Sequence, residues 1–184
     1  MLIKNKLESI KKINELGLNK FPEQLFKADE YEKVKDFLTC YPAKYYAIRD
    51  KSKAGGTFKL KVAARDVLTE IRGYSLFTIN VSSANYAENQ ILVGEIEILS
   101  NGDVYVTLSV DPTASVRDAL RNPTFNLKTD IFDKKLNHIP HFDLIYEYII
   151  INNLQNVIVE FALFNTEVGI KKENIIVYEL RTHY

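Results

Sequence analysis

Two glutamates near the end of the chain have the residue type and spacing expected of a cation site. The apolar segments 157–164 and 175–181 predict two strands joined by a turn over 165–174. If Phe164 pairs with Ile175, the register places Glu160 directly opposite Glu179. Opposed like charges destabilise a sheet by up to about 1 kcal/mol. A divalent cation between the two carboxylates would offset this cost, and Mg²⁺ favours one or two carboxylates together with substrate phosphates.

The same pattern allows a purely structural explanation. Arg181 lies two residues beyond Glu179 and therefore on the same face of the strand. Its guanidinium, or a lysine elsewhere in the chain, would neutralise the two carboxylates without any metal. The sequence leaves both interpretations open, because the register of a hairpin can shift by one residue.

A second candidate site lies at the first predicted hairpin, where a strand ending at Arg49 enters the loop 50–56. Two glycines in this loop let the backbone approach a ligand closely, and the cationic side chains suit phosphate oxygens. The candidate phosphate-binding residues are Arg49, Lys51 and Lys59. The alternative is a solvated hairpin tip, with Lys59 and Lys61 on the wet face of the following strand.

A third candidate is the pair Glu95 and Glu97, which share one face of the strand that precedes the Asn101-Gly102 turn. These carboxylates would either bind an amino group of a ligand or face water. The histidines are too scattered along the chain to predict a metal site, and we expect them at the surface: His138, His141 and His183.

The elements that position these residues can be read from the spacing of apolar side chains. Helices are predicted near 3–13, 34–41, 64–72, 115–122 and 142–154, with a helix stop and a turn over 17–29. Strands are predicted at 45–49, 57–62, 75–82, 91–99, 104–110, 157–164 and 175–181. Helices mixed with hairpins predict an α+β fold with largely antiparallel sheets and packed helices.

The composition predicts one domain of 184 residues with a substantial core, because 46% of the residues are hydrophobic. The 24 basic and 24 acidic residues balance, which makes nucleic acid an unlikely partner. Apolar runs are too short to cross a membrane, and the first residues lack the apolar core of a signal peptide. Cys40 is the only cysteine, so the expected location is the cytoplasm.

In chain order, these segments resemble an abbreviated ATP-grasp domain of the phosphoenolpyruvate synthase and pyruvate phosphate dikinase type. The segment Tyr46-Ala47-Ile48-Arg49 resembles the family's apolar strand that ends in Val-Arg-Ser-Ser. The strand from 104 ends in Asp111-Pro112, as in the family. The family closes with Ile-Glu-Trp-Ala, a turn and a strand into Gln-x-Arg, which here read Val159-Glu160-Phe161-Ala162 and Val177-Tyr178-Glu179-Leu180-Arg181.

The resemblance implies a two-lobed ATP-grasp-like core over 43–184, preceded by a helical segment over 1–42 within a single domain. It also implies ATP and Mg²⁺ as cofactors. Arg49 would contact the nucleotide phosphates, Glu160 and Glu179 would hold magnesium, and the strand with Glu95 and Glu97 would lie near the adenine. Lys51, Lys59 and Arg181 complete the candidate cofactor-binding set.

Three functions are compatible with the sequence. The first is a nucleotide-binding, Mg²⁺-dependent ligase or phosphotransferase. The second is a binding or scaffolding module with a degenerate nucleotide pocket, because Asp50 and Lys51 replace the family's two serines and Glu179 replaces its glutamine. The third is a module for protein or nucleic-acid interaction that would use the tyrosines and lysines of 41–61. The protein partner is unknown.

Overall fold

The computed structural model describes residues 2–52, 56–166 and 169–183. Part of the predicted loop 50–56 and part of the predicted turn 165–174 therefore lie outside the described residues. The chain divides into two compact units: a larger unit of residues 1–20 and 88–184, and a smaller unit of residues 21–87. The residues of the predicted N-terminal helical segment are thus shared between the two units.

The described elements alternate between helices and strands along the chain. The helices are α1 (Lys6–Glu15), α2 (Tyr31–Cys40), α3 (Val67–Glu70), α4 (Val116–Arg121) and α5 (Phe142–Ile151), and 3-10 turns cover Ala64–Asp66, Ser83–Asn89, Lys134–His138 and Lys172–Asn174. The strands are β1 (Glu23–Lys27), β2 (Tyr45–Asp50), β3 (Phe58–Ala63), β4 (Leu76–Val81), β5 (Gln90–Ile98), β6 (Asp103–Ser109), β7 (Phe125–Asp130), β8 (Ile158–Phe164) and β9 (Ile175–Arg181).

The smaller unit is a four-stranded antiparallel sheet in the order β1-β4-β2-β3. One face of this sheet is buried, and Tyr46 and Ile48 of β2 join Phe37 of α2 and Val67 of α3 in one hydrophobic cluster. Because side chains alternate along a strand, Arg49 points to the opposite face, away from this core.

A β-bulge shifts the pairing of β2 with β3. Tyr46 pairs with Val62 but Ile48 pairs with Lys59, so β3 carries one more residue than β2 over this stretch. The extra residue places Lys59 on the face of Ile48, while Lys61 lies over the ring of Tyr45 at 4.8 Å. Lys59 and Lys61 are both exposed, as expected, but they do not share one face of the strand, because the bulge interrupts the alternation of side chains.

The larger unit is a five-stranded antiparallel sheet in the order β7-β6-β5-β8-β9. One face carries Ile96, Val106 and Val159, and these residues share a hydrophobic cluster with Ile145 and Ile149 of α5. The predicted helix over 142–154 forms over Phe142–Ile151, and its buried side chains belong to this cluster. The polar side chains Glu95 and Glu97 alternate with these core residues and lie on the opposite face.

Helix α1 protects the outer edge of β9, the strand that carries two of the candidate site residues. The backbone N–H of Leu180 donates to Oγ of Ser9 at 2.7 Å, and the backbone N–H of Ile3 donates to Oγ1 of Thr182 at 2.9 Å. Ser9 is fully buried. The first bond satisfies a backbone N–H that the edge strand would otherwise leave open, and the second ties the residues before α1 to the residue that follows β9.

Gly94 allows β5 and β6 to approach closely in the middle of the same sheet. Its φ of 149° is one that residues with side chains rarely adopt. A Cβ atom at this position would lie 2.1 Å from the backbone oxygen of Thr107. The glycine is therefore a steric requirement of the strand that carries Glu95.

The predicted α+β class with antiparallel sheets and packed helices is confirmed. The predicted hairpins over 91–110 and 157–181 form, and a capping box between Ser115 and Asp118 opens α4. Two strands are additional to the prediction: β1, which lies within the predicted turn, and β7. No helix in the described ranges is long and apolar enough to span a membrane.

Candidate functional site

Three carboxylates form a row across the open face of the larger sheet. Glu95 of β5 pairs with Glu160 of β8, and Glu160 pairs with Glu179 of β9. The predicted opposition of Glu160 and Glu179 is confirmed. Glu95 extends the row by one strand, and we call Glu95, Glu160 and Glu179 the carboxylate row.

The register that produces this opposition differs from the predicted one. Ile175 pairs with Leu163 rather than with Phe164, so the prediction was wrong at the start of the hairpin. Between Phe161 and Glu160 the pairing shifts by one residue, and Tyr178 is the extra residue of β9. This bulge compensates for the shift and brings the two glutamates opposite each other.

Arg181 is the counter-ion of the row. Its Nη2 group contacts Oε2 of Glu95 and lies 3.0 Å from Oε1 of Glu160. One guanidinium thus bridges two strands that are not its own. In the part of the chain that the structure describes, Glu179 makes no ion pair or side-chain hydrogen bond. The structural alternative, in which Arg181 neutralises the pair of glutamates, is therefore realised for Glu160 but not for Glu179. With one guanidinium for three carboxylates, the row keeps a net negative charge.

The electrostatics of the row centre on Glu160, whose side chain is only 18% exposed. Burial raises the pKa of this carboxyl, and the neighbouring Glu179 and Glu95 raise it further. Arg181 and Lys6 act in the opposite direction on this pKa. A raised pKa means that the ionised carboxylate of Glu160 is disfavoured at its position in the sheet. A second cation next to the carboxylate row would therefore interact favourably with these negative charges.

A cavity of about 410 Å³ lies on the same face, next to Glu95. Glu97 lines it with a side chain that is only 6% exposed, and its Oε2 lies 2.9 Å from Nε2 of His183. The other oxygen, Oε1, is buried and has no hydrogen-bond partner among the described residues. Tyr105 and Ile158 add aromatic and aliphatic surface. The structure thus brings the predicted pair Glu95 and Glu97 to one cavity.

His183 is a lining residue that the sequence did not indicate. It was expected at the surface like the other two histidines, and all three are exposed. Its contact with Glu97 depends on the pairing of β5 with β8 and of β8 with β9. No local sequence signal reveals such a long-range arrangement.

In the smaller unit, Arg49 lies on the open face of its sheet. Its guanidinium carbon is 4.7 Å from the centre of the Phe58 ring, a cation–π contact. Asp50, the next residue, points to the other face and accepts a hydrogen bond from the backbone N–H of Ser52 at 2.9 Å. The carboxylate of Asp50 therefore does not share the face of Arg49. Lys51 is anchored by its backbone N–H, which donates to the carbonyl of Leu76 at 2.7 Å.

Lys59 forms an ion pair on the other face of the smaller sheet, away from Arg49. Its Nζ lies 2.7 Å from Oε1 of Glu70, and the hydroxyl of Tyr74 donates to the same carboxylate at 3.1 Å. The hydrogen bond to Glu70 raises the pKa of the Lys59 ammonium. Lys59 and Arg49 are thus not brought together, and the phosphate contact that the sequence suggested for Lys59 is untested.

The candidate residues fall into two sets. The larger unit brings together Glu95, Glu97, Glu160, Glu179 and Arg181, and the smaller unit holds Arg49, Lys51 and Lys59. Within the described ranges, no group of three or more His, Cys, Asp or Glu side chains is arranged to hold a metal ion. The opposed carboxylates of Glu160 and Glu179 are nevertheless oxygen donors of the kind that Mg²⁺ uses when substrate phosphates complete its coordination. By their chemistry, the two residues fit Mg²⁺ only as part of a larger set of oxygen ligands.

Comparisons with known proteins identify the fold. No protein-family model matches the chain, and no curated protein sequence is significantly similar to it. One similar solved structure is the macrocyclase MdnC bound with precursor peptide MdnA from Microcystis aeruginosa MRC, with a TM-score of 0.50 and 14% sequence identity. The match covers 96% of this chain and 51% of the MdnC chain. The VanG D-Ala:D-Ser ligase from Enterococcus faecalis has a TM-score of 0.49 and 12% identity over 96% and 51%.

The ADP complex of PurK, N5-carboxyaminoimidazole ribonucleotide synthetase, has a TM-score of 0.47 and 11% sequence identity. The match covers 97% of this chain and 45% of the PurK chain. The likeness to MdnC concerns the fold alone, and the fold of the chain is ATP-grasp-like. The chain spans about half the length of the solved structures it matches.

Proposed function

We propose that this chain binds ATP together with Mg²⁺ and serves a ligase or phosphotransferase reaction. The observation that carries the proposal is the direct opposition of Glu160 and Glu179 on the open face of an antiparallel sheet in an ATP-grasp-like fold. The resemblance of the surrounding segments to the phosphoenolpyruvate synthase and pyruvate phosphate dikinase type supports ATP as the nucleotide.

The proposed roles follow from the chemistry of each side chain. Glu160 and Glu179 would hold Mg²⁺ through carboxylate oxygens, and the bound metal would neutralise charge that develops on the phosphate oxygens. Arg49 and Lys51 would bind phosphate oxygens through their cationic groups. Glu95 and Glu97 would lie towards the adenine, where carboxylates accept hydrogen bonds from an amino group.

A non-catalytic module with a degenerate nucleotide pocket is the second candidate, and one observation favours it. Arg181 already bridges Glu95 and Glu160, so part of the negative charge of the carboxylate row is neutralised without a metal. Absence of ATP binding would support this candidate, because a degenerate pocket would no longer hold the nucleotide. A chain that does not bind ATP at all would contradict the proposal of a working site.

The experiment is a thermal unfolding titration with ATP and Mg²⁺. A ligand at about 100 times its Kd stabilises a protein by about 2.7 kcal/mol, which raises the Tm of a chain of this size by several degrees. We expect a rise that requires Mg²⁺ and disappears in Glu160→Gln/Glu179→Gln. The matched control is Glu88→Gln/Glu173→Gln, which makes the same charge change at exposed positions of the same unit. An unchanged Tm at millimolar ATP would reject the proposal.

A further inference from the structure

Arg181 has a position that the proposed metal chemistry does not explain. A divalent cation held by Glu160 and Glu179 would compete with the guanidinium of Arg181 for the carboxylate charge of Glu160. Arg181 contacts Oε1 of Glu160 at 3.0 Å and also contacts Glu95, so it neutralises the side of the row that is away from Glu179. The arginine therefore lowers the attraction of the row for any other cation.

We propose that Arg181 is an internal competitor of the divalent cation, and that it keeps the carboxylate row from binding metal tightly until a nucleotide is present. This inference rests on the proposed function, since it concerns the same two metal ligands. Two carboxylates would bind the metal in competition with the guanidinium. Phosphate oxygens of a nucleotide would add metal ligands and would also give Arg181 an alternative anion.

The surroundings of Arg181 allow such an exchange. Its side chain is 41% exposed, so the guanidinium can leave the row towards solvent without opening the core. Its Nε is buried and has no hydrogen-bond partner within the described residues. The guanidinium is thus held by Nη2 and is not fixed by a full set of acceptors.

Other charged groups around the row do not take the place of Arg181. Lys6 of α1 lowers the pKa of Glu160 less than Arg181 does. His183 contacts Glu97, and both residues line the cavity next to Glu95. Arg181 is thus the cation that directly contacts the carboxylate row in the described structure.

The test is binding of Mn²⁺, as a probe for Mg²⁺, measured without nucleotide by the electron paramagnetic resonance signal of the free ion. In general, a unit positive charge within about 5 Å of a bound divalent cation lowers the affinity for that cation at least about tenfold, even at the dielectric constant of water. We therefore expect Arg181→Gln to bind Mn²⁺ at least about tenfold more tightly than the wild-type chain. Arg117→Gln is the control, since Arg117 is exposed on α4.

Arg181→Lys is the second variant, in case the loss of the charge prevents folding. A lysine keeps the charge but does not span two carboxylates as a guanidinium does, so its Mn²⁺ affinity should fall between those of wild type and Arg181→Gln. Equal or weaker binding by both variants, including no binding by any chain, would overturn the inference.

The thermal titration with ATP separates this inference from the proposed function. Tighter Mn²⁺ binding by Arg181→Gln without any effect of ATP on the wild-type Tm would support the competition and reject the nucleotide site. A Mg²⁺-dependent ATP effect on the wild-type Tm without tighter Mn²⁺ binding by the variants would support the nucleotide site and reject the competition.

Discussion

Glu160 and Glu179 lie directly opposite each other on β8 and β9, and only one of them is neutralised by a contact with Arg181. The opposition is a consequence of the bulge at Tyr178, which offsets β9 by one residue within the hairpin. A pair of opposed carboxylates costs stability in the absence of a cation. Such a cost at a specific position of a sheet is typical of a functional site.

The first prediction concerns Glu160→Gln in metal-free buffer. The pKa of Glu160 is raised above its ordinary value of 4.5, mainly by burial and then by Glu179. A raised carboxyl pKa contributes stability below the unfolded pKa, and this contribution is lost as the pH rises through the folded pKa. The ionised Glu160 is therefore unfavourable at neutral pH, and the neutral amide should raise the free energy of unfolding by up to about 1 kcal/mol there.

The measurement is urea unfolding of wild type and Glu160→Gln at pH 4 and at pH 8 with a chelator. The advantage of the variant should be small at pH 4, where the wild-type carboxyl is largely protonated, and largest at pH 8. Glu88→Gln, at an exposed position, should show little difference at either pH. A variant that is less stable than wild type at pH 8 would show that the contact with Arg181 outweighs the cost of burial.

The second prediction concerns Gly94→Ala. A Cβ atom at this position would lie 2.1 Å from the backbone oxygen of Thr107, and neither backbone can move without separating β5 from β6. We expect a loss of at least about 3 kcal/mol in the free energy of unfolding, measured by urea denaturation. Gly73→Ala is the control, because φ is also positive there but no atom lies within 4 Å, so the loss should be about 1 kcal/mol. Equal losses of stability in Gly94→Ala and Gly73→Ala would mean that the strands rearrange to remove the contact between the new Cβ atom and Thr107.

The third prediction tests whether α1 positions β9. Ser9→Ala removes the buried acceptor of the backbone N–H of Leu180 and should cost about 1–3 kcal/mol. Hydrogen exchange of the Leu180 amide should accelerate more than that of amides in β6. Thr39→Ala removes an exposed hydroxyl that bonds a carbonyl within α2 and should change stability little. Unchanged exchange at Leu180 would show that α1 does not protect this edge.

The sequence predicted much of the fold and of the carboxylate row for reasons that are local. The strands β8 and β9 are neighbours in sequence, so an assumed hairpin register was enough to predict that Glu160 lies opposite Glu179. The real register differs by one residue at the start of the hairpin, and the bulge at Tyr178 cancels this difference. Neither shift could be read from the sequence. Glu95 joins the row only through the pairing of β5 with β8, which are distant in sequence. A pairing of distant strands leaves no periodic signal in the chain.

The two strands that were not predicted, β1 and β7, are both edge strands with one neighbouring strand each. In β1 the only buried side chain is Phe26, so its sequence shows a weak apolar pattern. In β7 no side chain is fully buried, but Phe125 and Leu127 alternate with polar residues and pack against the core of the larger unit. This alternation is a strand signal that the sequence prediction missed.

The fourth prediction separates the two cationic side chains of the smaller unit, and it rests on the proposed function. Arg49 and Lys59 lie on opposite faces of the sheet, and Lys59 is paired with Glu70 at 2.7 Å. Arg49→Gln should weaken ATP binding by about tenfold or more, since a hydrogen bond to a charged group is worth about 1.5–3 kcal/mol. Lys59→Gln should leave the affinity for ATP within about twofold, because its ammonium is held on the core side of the sheet by Glu70. Isothermal titration of each variant with ATP and Mg²⁺ gives the two affinities. A greater loss in Lys59→Gln than in Arg49→Gln would place the phosphates on the other face and reject the role of Arg49.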